Sequence, residues 1–123
     1  MREVSTEEIT KNIKEMCIEA NYTLSDDVKN KIINSAAVEE SEIGKKILNQ
    51  LEENMNIADS DNIPICQDTG MAVIFIKIGQ DVHITGGNLE DAINQGVREG
   101  YIEGYLRKSV VKDPIIRENT TDN

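Results

Sequence analysis

Aromatic residues, histidine and cysteine are scarce in this chain of 123 residues, and each shortage limits what the protein can be. With three Tyr, one Phe and no Trp, the core must be built mainly from aliphatic side chains. One His and two Cys fall short of the roughly four nitrogen or sulfur ligands of a structural zinc site. No apolar run approaches the ~20 residues of a membrane-spanning helix, and no secretory signal precedes the cysteines. We therefore expect a cytoplasmic protein with reduced thiols.

Positive charge is also in short supply. The net charge of −10 argues against nucleic acid or an anionic membrane as the main partner, because both require a concentrated basic surface. A local basic excess occurs only between positions 98 and 117. A small anion would find its counter-charge among Arg98, Arg107, Lys108, Lys112 and Arg117.

Residues 1–60 predict three amphipathic helices, with charged outer faces. Ser5 and Glu8 have the spacing of a capping box, and Ser25 and Ser41 are placed to cap the second and third helices. Apolar residues recur behind each serine at helical spacing. This part of the chain therefore carries structure rather than chemistry.

The second half begins with strand signals. The run Met71–Ile78 is apolar and rich in branched residues, which is typical of a strand buried on both faces. Gly79 and Gln80 then predict a two-residue hairpin turn into a second strand over 81–85. The predicted fold class is α+β: amino-terminal helices packed on a short, mainly antiparallel sheet, within a single domain spanning residues 1–123.

A fourth helix, capped by Asn88 and running to about Leu106, has a stripe of small residues at four-residue steps: Ala92, Gly96, Gly100 and Gly104. Each mid-helix Gly costs about 1 kcal/mol relative to Ala, so an element must pack closely against this face. The pattern favours another helix over a cofactor-bearing loop. Residues 112–123 show no cap or strand pattern and predict a connection to another part of a protein.

Cys66 is the residue with the clearest chemical potential. It lies in the loop Pro-Ile-Cys-Gln-Asp-Thr-Gly, where a thiolate can ligate a metal or act as a nucleophile, and where a Cys can equally be a small buried apolar residue. Cys17 lies on the apolar face of the first helix and is predicted to fill the core. His83, between two apolar strand residues, is predicted to be a surface or structural histidine.

Several motifs occur in a consistent order. They are Ile63 to Ala72 (with Cys-Gln-Asp-Thr-Gly), Gly79-Gln80, Gly86-Gly87, Gly104 to Ser109 (with Tyr-Leu-Arg) and Arg117 to Thr120. Together they resemble the class I fumarase family, which comprises the iron–sulfur-dependent fumarate hydratases and L-tartrate dehydratases. The likeness spans residues 41–123 and is to the α-subunit or the equivalent amino-terminal region.

The resemblance implies a hydro-lyase that interconverts malate and fumarate, or tartrate and oxaloacetate, with a 4Fe-4S cluster as Lewis acid. By motif, Cys66 matches a cluster ligand, and Gln67 and Asp68 match residues that contact the dicarboxylate. Asp68 is also the candidate to protonate the departing hydroxyl, and Arg107 matches an arginine that binds a substrate carboxylate. A β-type subunit or domain and an oligomeric assembly are the implied partners.

The resemblance also implies that the chain is incomplete. The other two cluster cysteines of the family lie further along, and Cys17 precedes the motif, so we expect a fragment that holds one corner of a cluster. Two alternatives stay open. One is a non-catalytic assembly or binding domain that keeps the fold; the other is a redox-responsive thiol at Cys66.

Overall fold

The structure, a computed structural model, describes residues 1–66 and 68–123. This part of the chain contains four helices and two strands. In chain order they are strand β1 (Arg2–Ser5), helices α1 (Thr6–Tyr22), α2 (Asp26–Val38) and α3 (Glu42–Asp61), strand β2 (Val82–Thr85) and helix α4 (Leu89–Glu103). The α+β class predicted from the sequence is confirmed.

The elements group into two compact units. The first unit contains residues 1–19 and the described residues from 68 to 123, and the second contains residues 20–66. In the second unit α2 packs on α3, and Met55 and Ala58 are its buried apolar residues. Among the described residues, none of the helices is both long enough and apolar enough to cross a membrane.

The sheet differs from the prediction. Strands β1 and β2 pair in parallel, with Arg2 opposite Val82 and Ser5 opposite Thr85, so the expected mainly antiparallel sheet is wrong. The tetrapeptide of β1 was not predicted as a strand because two of its four residues are charged. Its backbone nevertheless supplies the ladder partner of β2, and parallel pairing is possible because a long segment connects the two strands.

Met71–Ile78, the predicted central strand, is outside the strands and largely exposed. Phe75 is 93% exposed, Met71 70% and Val73 69%. The predicted turn is present, since the Val82 N–H donates to the Gly79 carbonyl at 3.2 Å, but it leads into a strand that pairs with β1. The hairpin prediction is wrong because an apolar pattern shows which side chains favour burial, not which backbone will pair with them.

Helix caps follow the prediction closely. The Asn88 side chain accepts from the N–H groups of Glu90 and Asp91 at 2.8 and 3.3 Å. The hydroxyls of Ser5 and Ser41 each accept from the N–H of the residue three positions later, at 3.1 and 3.3 Å. Ser25 occupies the N-cap position of α2 without a side-chain cap bond. The helix ends were less accurate, since α4 ends at Glu103 and not at Leu106.

The glycine face of α4 packs against α1, which confirms the predicted helix–helix contact. A Cβ added at Gly96 would lie 2.6 Å from the Thr10 carbonyl oxygen, and one at Gly100 would lie 2.8 Å from the Cβ of Cys17. The absence of a side chain is therefore what lets the two backbones approach. Cys17 is buried in this contact, as predicted for a core residue.

The last twelve residues are more ordered than the sequence indicated. The Asp113 carboxylate accepts from the N–H groups of Ile115 and Ile116, both at 2.8 Å, and these bonds lower the Asp113 pKa. An antiparallel bridge joins Val111 to Asn119. The Asp113 side chain therefore stabilises a local turn that the sequence pattern did not indicate, in a segment that contains no helix and no named strand.

Candidate functional site

Cys66 follows a residue whose backbone is held on both sides. The Ile65 N–H donates to the carbonyl oxygen of Asn21 at 2.9 Å, and the Ile65 carbonyl accepts from the Asn54 side-chain amide at 2.9 Å. Both bonds lie within the second unit. Cys66 itself is exposed, so the prediction of a reactive thiol is compatible with its position, whereas the alternative of a buried apolar residue is wrong.

Gln67, the next predicted site residue, lies outside the described residues. Asp68 is exposed and belongs to the first unit. The two residues after it are bonded to the last turn of α4 and to the chain that follows this helix. The Thr69 hydroxyl donates to the Arg107 carbonyl at 2.9 Å, and the Tyr101 hydroxyl donates to the Gly70 carbonyl at 2.9 Å. The structure therefore brings residues 68–70, the Asp68 segment, against the backbone of Arg107, another predicted site residue.

Tyr101 is the buried member of this arrangement. Only 2% of its surface is exposed, and its burial, assisted by the nearby Cys17, raises the pKa of the phenol against the opposing effect of a hydrogen bond with Thr69. The phenol therefore keeps its proton at neutral pH and remains a donor. Gly70 lies in the left-handed region with φ 63°, where glycine carries no steric penalty.

Arg107 is placed by the way α4 ends. The Leu106 N–H donates to the Tyr101 carbonyl at 3.0 Å, and the Tyr105 N–H donates to the Ile102 carbonyl at 3.4 Å. This is the Schellman pattern, which requires a left-handed residue after the cap. Tyr105 supplies it with φ 53°, at a cost of about 1 kcal/mol for a non-glycine residue. With Leu106 only 5% exposed, the chain leaves the helix at a fixed point just before Arg107.

The basic side chains between positions 98 and 117 differ in whether they already form an ion pair. Arg98 pairs with Asp122 at 3.2 Å and Lys112 with Glu118 at 3.7 Å. Arg107 is exposed, and within residues 1–66 and 68–123 its guanidinium forms no ion pair. An anion near the Asp68 segment would therefore meet a guanidinium whose donors are not already committed to a carboxylate in this part of the chain.

Metal ligands are sparse. In the described part of the chain there is no group of three His, Cys, Asp or Glu residues that could hold a metal ion. Cys17 is buried against α4, which leaves Cys66 as the exposed thiol of these residues. A four-iron cluster needs at least three protein ligands, so the described residues fit one ligand position and not a complete cluster site.

Three residues of this region were assigned no role from the sequence: Thr69, Tyr101 and Asn54. Tyr101 had a signal, because it is the one aromatic residue on the apolar face of α4 and a buried phenol usually needs a hydrogen-bond partner. Thr69 and Asn54 act through bonds to distant backbone carbonyls, for which a single sequence gives no signal. His83 is exposed, which confirms its prediction as a surface residue.

Comparison with known proteins identifies the family. Residues 10–123 match the family described as fumarate hydratase (Fumerase). The chain therefore belongs to this family, as the order of its motifs predicted. The match extends beyond residues 41–123 into α1.

Similar proteins include dehydratase subunits. The putative L(+)-tartrate dehydratase subunit alpha of Methanocaldococcus jannaschii is 37% identical over 112 residues, which cover 90% of this chain and 39% of that protein. The L(+)-tartrate dehydratase subunit alpha of Escherichia coli O157:H7 is 35% identical over 101 residues, covering 77% of this chain and 33% of that protein. The chain thus spans between a third and two fifths of the length of these relatives.

Proposed function

We propose that this chain is part of a hydro-lyase that interconverts L-malate and fumarate, or tartrate and oxaloacetate. The observation that carries the proposal is the bond between Thr69 and the Arg107 carbonyl. It brings the segment that bears Asp68 to the position of Arg107 in a chain that belongs to the fumarate hydratase family. The substrate class is a small dicarboxylic acid.

The chain's own residues suit this substrate class. The Arg107 guanidinium is exposed, and its planar fork of N–H donors binds a carboxylate through two parallel hydrogen bonds. Asp68 is the proposed acid that hydrogen-bonds or protonates the departing hydroxyl. Gln67 is proposed to contact the same substrate. In this assignment, Arg107 orients one end of the dicarboxylate while Asp68 acts at the carbon that loses water.

Cys66 is the proposed ligand of a 4Fe-4S cluster. Its thiol is exposed, and thiolates are the protein ligands such clusters use. When bound, a cluster with one iron lacking a protein ligand supplies Lewis-acid chemistry to a substrate hydroxyl. Because the described residues offer one suitable ligand, we propose that the remaining cysteines come from outside this chain.

The proposed partners follow from the relatives. Their names describe alpha subunits, so we propose that this chain works with the rest of an α region and with a β-type subunit or domain, in an oligomer. Those names also favour tartrate as a substrate, whereas the family description names fumarate. Both the malate–fumarate reaction and the tartrate–oxaloacetate reaction are therefore tested.

The test is an activity assay on the native-length protein with any partner subunit, after anaerobic reconstitution with iron and sulfide. Malate and tartrate are supplied separately, and iron content is measured in parallel. Cys66→Ser is the test variant and Cys17→Ala is the matched control, because Cys17 is buried between α1 and α4. We expect Cys66→Ser to lose both activity and iron while Cys17→Ala keeps both.

Substrate binding is tested with Arg107→Lys. Lysine keeps the charge but loses the planar fork, so we expect KM to rise by about tenfold or more. If neither acid is converted, or if Cys66→Ser retains full iron and activity, the hydro-lyase proposal is wrong. A non-catalytic assembly domain is then the better interpretation.

A further inference from the structure

Two hydrogen bonds attach the Asp68 segment to α4 and its C-terminal extension, and neither of the donating side chains belongs to the motif residues assigned to the substrate. Thr69 donates to the carbonyl of Arg107, and Tyr101 donates to the carbonyl of Gly70. From this geometry we infer that Thr69 and Tyr101 are positioning residues for Asp68 and Arg107. This inference rests on the proposed function, because it concerns the same dicarboxylate site.

The bonds are placed to act on both site residues together. Thr69 is adjacent in sequence to Asp68, and its bond ends on the residue that carries the guanidinium. Tyr101 contributes a second attachment one residue further on, and it is itself fixed by burial. Two attachments at consecutive residues restrain a segment in orientation as well as in distance, which is what a site needs to hold its groups in reactive geometry.

The end of α4 extends the same restraint. The Tyr101 side chain holds Gly70 while the Tyr101 carbonyl receives the N–H of Leu106. One residue therefore bonds both to the Asp68 segment and to the turn that precedes Arg107. A shift of Tyr101 would therefore displace both attachments at once.

The experiment compares variants that remove the donor at nearly unchanged shape with a variant that keeps the donor. Thr69→Val and Tyr101→Phe remove the hydroxyl, and Thr69→Ser keeps it. Thr10→Val is the matched control, because the Thr10 hydroxyl also donates to a backbone carbonyl distant in sequence, that of Ala92, at 2.9 Å, but this bond joins α1 to α4 away from Asp68. The first readout is the backbone order parameter of the Thr69 and Gly70 amides, measured by ¹⁵N relaxation on the full 123-residue chain.

We expect order parameters near 0.85 in the unmodified chain and in Thr69→Ser, and values falling toward 0.6 in Thr69→Val and Tyr101→Phe. Thr10→Val should leave both amides unchanged. The inference is overturned if removal of either donor leaves Thr69 and Gly70 as rigid as before, or if Thr10→Val loosens them equally.

The second readout is kinetic, on the reconstituted protein with its partner. We expect Thr69→Val to lower kcat/KM by about tenfold to a hundredfold, the effect of a misplaced catalytic group, with Thr69→Ser restoring it and Thr10→Val leaving it unchanged. Equal kinetics in Thr69→Val and the unmodified protein would overturn the inference. If the unmodified protein converts neither acid, the proposed function has failed, and the order parameters then decide separately whether the two residues fix this segment.

Discussion

Two regions of the molecule showed an obvious need for burial in the sequence, and only one of them is buried. The glycine face of α4 lies so close to α1 that a Cβ at Gly96 would be 2.6 Å from a backbone oxygen. The apolar run Met71–Ile78 instead leaves Phe75 93% exposed. Both regions belong to the first unit, so they differ within one compact body.

The difference shows what a sequence pattern specifies. Glycines at four-residue steps describe the shape of a helix face, and that shape matches another helix at backbone range. An apolar run describes only the chemistry of its side chains, which many kinds of neighbour can satisfy. The first pattern restricts the neighbour by geometry, whereas the second leaves it open.

The largest expected effect comes from a side chain added to the glycine face. Gly96→Val places Cβ 2.6 Å from the Thr10 carbonyl oxygen and 2.7 Å from the Ile13 Cβ, so α1 and α4 must separate. We expect the free energy of unfolding to fall by about 2–3 kcal/mol, although valine favours the helix over glycine by a few tenths of a kcal/mol. Urea denaturation measures the change.

Gly44→Ala is the control for this variant. The three atoms nearest to a Cβ at Gly44, in α3, all belong to the Glu39 side chain, at 2.8 to 3.0 Å, and a flexible side chain can move away. We expect a change between zero and a gain of about 1 kcal/mol from helix propensity. A loss of similar size in both variants would mean that the glycine face is no tighter than an ordinary helix surface.

The second prediction places the same substitution in both regions. Val97, on α4, is 7% exposed, and Val73, in the apolar run, is 69% exposed. Valine to threonine keeps the shape and adds a hydroxyl, which is costly only where water is excluded. We expect Val97→Thr to lower the free energy of unfolding by about 1–3 kcal/mol and Val73→Thr to change it by less than about 0.5 kcal/mol.

This pair also tests the exposure of the apolar run. The measurement uses the chain alone at two protein concentrations. If Val73→Thr destabilises as much as Val97→Thr, position 73 is covered in solution. A destabilisation that grows with concentration would identify a second copy as the cover.

The parts of the fold that were predicted are those set by local chemistry. Asn88 and Ser41 cap their helices as expected because a short polar side chain meets unpaired N–H groups within three residues. Strand pairing was missed because it joins Arg2 to Val82, and nothing local in a charged tetrapeptide specifies a partner eighty positions away. Parallel pairing in particular leaves no turn signature between its strands.

The site was predicted in its residue types and family but not in its supports. Cys66, Asp68 and Arg107 were singled out by their motif. The structure adds that the Asp68 segment is hydrogen-bonded to the Arg107 carbonyl and to the Tyr101 hydroxyl. The proposed roles of Cys66, Asp68 and Arg107 remain predictions. Those supports are side-chain donors to distant carbonyls, whose partners are decided by the tertiary fold alone.

The smallest expected effect on stability comes from Cys17, which lies beneath the glycine face. Burial raises the pKa of its thiol, so the folded chain holds this proton at a pH where the unfolded chain, with a thiol pKa of about 8.5, has released it. The contribution of the protonated Cys17 thiol to the free energy of unfolding is therefore complete below about pH 8.5. It is lost as pH rises through the higher folded pKa. Cys17→Ala should flatten this decrease when denaturation midpoints are compared between pH 7 and 10.

The two thiols also distinguish buried from exposed positions directly. Alkylation requires an accessible thiolate, and Cys66 is exposed whereas Cys17 is buried with a raised pKa. We expect iodoacetamide to modify Cys66 at least about tenfold faster at pH 8, and Gly96→Val to accelerate the reaction of Cys17 by loosening its cover. The pKa of Tyr101 is also raised, but from a higher starting value. Tyr101 therefore affects the pH dependence of stability only from near pH 10 upward. Equal alkylation rates, or a pH dependence that Cys17→Ala leaves intact, would show that the contact between α1 and α4 does not exclude water from this thiol.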